Sequence, residues 1–92
     1  MSIFDLFKGR TAKWSDKELL DKVRAVIVDE LSVESWEVTL HSSLEDDLGC
    51  DELDFLELLM AIEKALTVMI PRNEEKNIRT VGDIIKIIRK YN

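Results

Sequence analysis

Three times along this chain a helix-capping side chain is followed at once by apolar residues spaced three and four apart. That recurrence restricts the chain to a helical fold, because a strand would need alternation instead. Ser15 with Glu18 makes a capping box, and Leu19, Leu20, Val23, Val26, Ile27 and Leu31 follow it. The spacing predicts an amphipathic helix of about sixteen residues. Asp51 caps a second helix, with Asp54 in its first turn and Leu53, Leu56, Leu59 or Met60, and Leu66 as the expected inward stripe. Thr80 caps a third, which would bury Val81, Ile84, Ile85, Ile88 and Tyr91. The β-branched residues there would also suit a strand, but the charges at Asp83, Lys86, Arg89 and Lys90 keep helical spacing.

The connections differ in character. Residues 32–50 show no sustained period and carry Ser32, Ser35, Ser42, Ser43 and Gly49, so a long loop is expected there. Pro71 ends the apolar run Val68-Met69-Ile70, since proline cannot continue a helix. Residues 73–78 allow one short helical turn. The expected fold is all-α, a four-helix bundle of three main helices and one short helix, with the long loop between the first and second. Residues 1–14 read as an N-terminal extension and 15–92 as the domain. Within the extension, Ile3, Phe4, Leu6 and Phe7 share one side of a short helical turn, which needs a surface to pack against.

Ninety-two residues suffice for one small core, and 46% hydrophobic with 35% charged residues describes a soluble, globular chain. No apolar run approaches the ~20 residues that span a bilayer, and the start lacks the pattern of a signal peptide. A single cysteine makes no internal disulfide, which suits a reducing compartment. These features together predict a cytoplasmic protein. The net charge of −6 is uneven: residues 45–63 hold eight acidic side chains and no Lys or Arg. Such a stripe repels nucleic-acid phosphate and suits a basic protein surface.

The central stretch, Leu44-Glu-Asp-Asp-Leu-Gly-Cys-Asp51-Glu52-Leu53-Asp54 and on to Glu63, resembles the acyl carrier proteins. Their signature is approximately Glu-Asp-Leu-Gly-x-Asp-Ser-Leu-Asp-x-x-Glu-Leu. Glu37-Val38-Thr39, Ile70-Pro71, the short segment to Ile78, and Thr80-Val81 match the family's layout without gaps. The resemblance covers residues 15–91. It implies a four-helix carrier fold whose second helix is recognised by basic partner enzymes. On the matching positions Asp51, Asp54, Glu57, Met60 and Glu63 would make those contacts. Phe55 stands where the family often has a small polar residue, and is either an exposed anchor or folded against the loop before Gly49. Lys64 stands where it often has an acid.

The largest departure is Glu52, at the position of the serine that bears 4′-phosphopantetheine in that family. A carboxylate has no hydroxyl for a phosphodiester, and attack on coenzyme A would give only a labile mixed anhydride. At a helix start the extra anion is harmless to the fold. Cys50, close by, is expected to be a packed and unreactive thiol, its pKa raised by the surrounding acids. His41 is expected in a loop, outside any triad, and Trp14 and Trp36 in packing roles. The carboxylates lack EF-hand spacing, so no metal site is expected. Nothing pairs a nucleophile with a base, and an enzyme is not expected.

Two functions remain at this point. The first is a monomeric, non-enzymatic, carrier-like protein without a cofactor, acting through its acidic second helix and Phe55 as an adaptor, regulator or decoy. The alternative is an acyl carrier protein of fatty-acid, polyketide or lipid biosynthesis, with Glu52 an atypical or engineered replacement of the attachment serine.

Overall fold

The computed structural model describes residues 9–92, and among them the regular elements are helical throughout. Helix α1 spans Asp16–Leu31. Its capping box forms as expected: Ser15 Oγ accepts from Glu18 N at 3.1 Å, and Glu18 Oε1 accepts from Ser15 N at 3.2 Å. The helix buries Leu19, Val23 and Ile27 and stops at Ser32, which takes a left-handed φ of 55°.

Helix α2 spans Glu52–Leu66 behind the Asp51 cap and ends at Thr67, also left-handed with φ 54°. Its inward stripe differs from the expected one. Leu58, Leu59, Ile62 and Leu66 are buried, while Leu53 is 63% and Met60 54% exposed. The expectation took Leu53 as the start of the stripe, but Leu53 lies on the exposed side of the first turn and full burial begins at Leu58. The stripe begins one turn later.

Helix α3 spans Val81–Tyr91 and buries Val81, Ile84, Ile85, Ile87 and Ile88. β-Branched residues lose a few tenths of a kcal/mol each in helix propensity. Burying each side chain returns about 1.5–3 kcal/mol, so packing decides the conformation. Between α2 and α3, Arg72–Asn77 form a 3₁₀ helix, the short element expected after Pro71. Helix α1 packs chiefly on α2 and more lightly on α3.

The long connection is anchored rather than loose. A 3₁₀ turn at Ser35–Glu37 leads to Val38, fully buried, whose carbonyl accepts from Arg24 Nε at 3.0 Å. Ser42 Oγ donates to Glu37 O at 2.6 Å and accepts from Thr39 N at 2.9 Å. The chain then pairs with the entry to α3: Leu44 N donates to Arg79 O at 3.0 Å and Val81 N to Ser42 O at 3.1 Å. Gly82 sits where a Cβ would meet Leu40 O at 2.9 Å, so the loop crosses α3 at glycine contact. These bonds deliver residues 50–52 to one end of the bundle.

The expected apolar turn of Ile3, Phe4, Leu6 and Phe7 lies outside the described residues. Residues 11–14 are tied to the last helix. Thr11 N donates to Asn92 O at 2.9 Å, and the Arg89 guanidinium donates to the carbonyls of Thr11 and Trp14, both at 2.7 Å. Trp14 packs partly against the core, as expected, and Lys22 lies 4.9 Å from its ring centre. Trp36 does not pack: it is 76% exposed, because its 3₁₀ turn lies at the outer edge of the loop.

Candidate functional site

Glu52 is the first residue of α2, exposed at the helix start. The turn that presents it is built by two reciprocal bonds. Asp54 N donates to Asp51 Oδ1 at 2.8 Å, and Asp51 N donates to Asp54 Oδ2 at 3.3 Å. Both carboxylates are thereby committed to the cap, and residue 52 is held facing outward between them. Gly49, at φ 68°, turns the backbone into this cap in a conformation that a side chain would strain. Cys50 N then donates to Leu44 O at 2.8 Å and closes the loop.

Beside Glu52 opens a cleft of about 790 Å³. One wall is the loop and the first turn of α2, including Gly49, Cys50 and Phe55; the facing wall is Glu75, Ile78 and Arg79. Phe55 is half-buried and packs against the core on the cleft wall, which selects the folded-back position of the two expected. The facing wall was not legible in the sequence, because it meets residue 52 only through the tertiary fold and carries no local motif.

The remaining expected contact residues are divided. Glu57 and Met60 are exposed on α2. Glu63 is half-buried, and its Oε2 accepts from Ile70 N at 3.0 Å, so it also fastens the turn after α2. Asp51 and Asp54 share the capping role just described. Cys50 is buried, and its thiol is pushed up to about 11, first by burial and then by Asp54 and Asp51. Burial, rather than the acidic neighbours, is the larger cause of that rise. His41 is an exposed loop residue. Among the described residues no cluster of potential metal ligands occurs, and no helix is long and apolar enough to cross a membrane.

A phosphopantetheine arm would have room in this cleft but no point of attachment. Glu52 supplies a carboxylate where a phosphodiester requires a hydroxyl. The nearby hydroxyls do not replace it: Ser42 Oγ is bound to Glu37 O, and Ser43 Oγ, half-buried, accepts from Asp46 N at 3.0 Å within the loop. The residue at position 52 therefore does not fit the group.

Comparison with known proteins bears on the whole of this region. A family model described as the phosphopantetheine attachment site matches residues 21–88. The acyl carrier protein of Clostridium perfringens (strain 13 / Type A) is 41% identical over 73 residues, covering 79% of this chain and 96% of that protein. The acyl carrier protein of Prochlorococcus marinus (strain MIT 9515) is 46% identical over 74 residues, covering 80% and 92%. A solved structure of the acyl carrier protein from Enterococcus faecalis superposes with a TM-score of 0.66 at 26% identity, covering 83% of this chain and 96% of that one. These findings overturn the expectation of a cargo-free adaptor, regulator or decoy. That expectation gave residue 52 more weight than the rest of the chain, whereas relatives of this similarity are acyl carrier proteins.

Proposed function

The chain belongs to the acyl carrier protein family, and on that premise we propose that it is an acyl carrier protein of fatty-acid, polyketide or lipid biosynthesis in which Glu52 is an atypical replacement of the attachment serine. The observation that carries this reading is the match from residue 21 to residue 88, which takes in both walls of the cleft and the capped first turn of α2. The family's prosthetic group is 4′-phosphopantetheine. With Glu52 in place, covalent loading has no nucleophile; with serine there, the scaffold supplies the rest.

The chain's own residues have definable parts in this role. Asp51 and Asp54 hold the start of α2 so that residue 52 points to solvent at the mouth of the cleft. A helix start favours an anion through its free amides and its dipole, so a phosphodiester and the Glu52 carboxylate suit the same place. Phe55 and Ile78 give the cleft apolar surface on opposite walls, fit for the hydrocarbon of a tethered chain. The exposed acids of α2, Glu57 among them, together with the exposed Met60, form the docking face for basic enzymes of acyl synthesis. In this role the protein is a monomeric, cytoplasmic carrier and not a catalyst.

The test is incubation with coenzyme A and a phosphopantetheinyl transferase, followed by intact-mass measurement of the Glu52 chain and of Glu52→Ser. The Glu52→Ser chain is expected to gain one phosphopantetheinyl group and the Glu52 chain none. A folded Glu52→Ser protein that stays unmodified would overturn the carrier reading.

A further inference from the structure

On the side of the 3₁₀ helix turned away from the cleft lies a cluster that the carrier role has not used. Glu74 is only 7% exposed, although it is a glutamate in a surface helix of 6 residues. Its Oε2 accepts from Tyr91 Oη at 2.7 Å and from Lys90 Nζ at 3.0 Å, and its Oε1 accepts from Asn77 Nδ2 at 2.8 Å. A buried carboxylate is tolerated only when it is satisfied in this way. Next to it, Asn92 joins the same end of α3 to the incoming loop. Its side chain accepts from Met69 N at 2.8 Å and donates to Met69 O at 2.9 Å. The loop and the 3₁₀ helix are therefore pinned at two points to the end of α3. The next turns of the same segment, at Glu75, Ile78 and Arg79, form a wall of the cleft beside residue 52.

We propose that Glu74 is a positioning residue for the cleft: its bonds to Tyr91, Lys90 and Asn77 fix the 3₁₀ helix against α3 and so set the placement of the wall at Glu75, Ile78 and Arg79. The alternative use of the cluster would be simple stabilisation of the whole fold. Geometry separates the two. A 3₁₀ helix has poor internal hydrogen bonding and seldom holds its own length. Most of the large buried side chains lie in α1, α2 and α3, and within residues 72–77 Glu74 alone is buried. Loosening the cluster should therefore open the segment locally while leaving the bundle folded. The relevance of that opening to a tethered chain rests on the carrier reading; the coupling between cluster and wall does not.

Cys50 provides the measurement. It is the sole cysteine, it is buried, and it lines the same cleft as Ile78. Its alkylation by the small neutral reagent iodoacetamide reports opening of the wall. The chain is used unloaded, with Glu52 in place, so failure of Glu52→Ser to accept an arm would not affect the outcome. Tyr91→Phe and Glu74→Gln are compared with Ile27→Val, which weakens the core from α1, and urea unfolding gives the global stability of each. We expect Glu74→Gln to speed alkylation by about tenfold, the change that losing one hydrogen bond to a charged group implies. Tyr91→Phe should do so by less, and the double variant by less than the product. Amide exchange should quicken at residues 74–78 while the amides of α1 and the second half of α2 hold. Ile27→Val should leave alkylation near the starting rate. If the alkylation rates of all variants follow global stability alone, or if Glu74→Gln leaves Cys50 and residues 74–78 unchanged, the proposal is wrong.

Discussion

Glu52 places a carboxylate at the first turn of a helix, where four amides lack intrahelical partners and the dipole favours negative charge. Replacing it by serine removes that charge and no packing contact, since the side chain is exposed. The Glu52→Ser chain is therefore expected to be less stable by about 0.3–1 kcal/mol at low salt, with the deficit shrinking as salt is added. Urea unfolding at two ionic strengths checks this; a loss of several kcal/mol would mean that Glu52 has a structural partner which the fold does not suggest. At this scale the sequence was most informative about caps, because a capping box is a contact within four residues. The three caps expected at Ser15, Asp51 and Thr80 all form, each of them as a capping box. It was least informative about Trp36 and Leu53, whose exposure depends on where the loop passes and not on their own periodicity.

Between elements the decisive contacts are distant in sequence, and they were not legible beforehand. Leu44 meets Arg79 through the backbone, and Glu74 meets Tyr91 across the gap to the last turn of α3. The Glu74 cluster has a consequence for acid stability. Bonds from Tyr91, Asn77 and Lys90, in that order, lower the Glu74 carboxyl from its ordinary 4.5 to about 2. In the unfolded chain the same group takes up its proton near the ordinary value. The unfolded state thus binds more protons throughout this interval, and the stability contributed by Glu74 is full above pH 4.5 and lost as pH falls toward about 2. Glu74→Gln should be the less stable protein at neutral pH, and the gap between the two should narrow across that window. Urea midpoints measured from pH 6 to pH 2 decide the matter: a gap that is constant with pH would show that the charge on Glu74 contributes nothing.

For the whole molecule, fold and family were legible because several landmarks keep their spacing from Glu37 to Val81. The function was obscured by Glu52, the largest departure from the pattern. A single missing hydroxyl removes an attachment chemistry, but it leaves the cleft and the capped turn in place. Recognition by acyl-synthesis enzymes is therefore expected to depend on the exposed acids of α2. Glu57→Lys should weaken binding to a carrier-dependent enzyme by on the order of tenfold at low salt, mainly through slower association. Lys64→Glu, on the same helix, should leave it equal or stronger. Binding kinetics at two salt concentrations test this, and indifference to both substitutions would move the docking face elsewhere.

As a member of the acyl carrier protein family, this scaffold is expected to serve acyl synthesis once a serine stands at position 52. Reconstituted fatty-acid synthesis, with phosphopantetheine-loaded Glu52→Ser as the sole carrier, tests it most directly by mass analysis of what the arm holds. Acyl thioesters are expected on that protein and none on the Glu52 chain. A loaded arm that the synthase enzymes never acylate would contradict it.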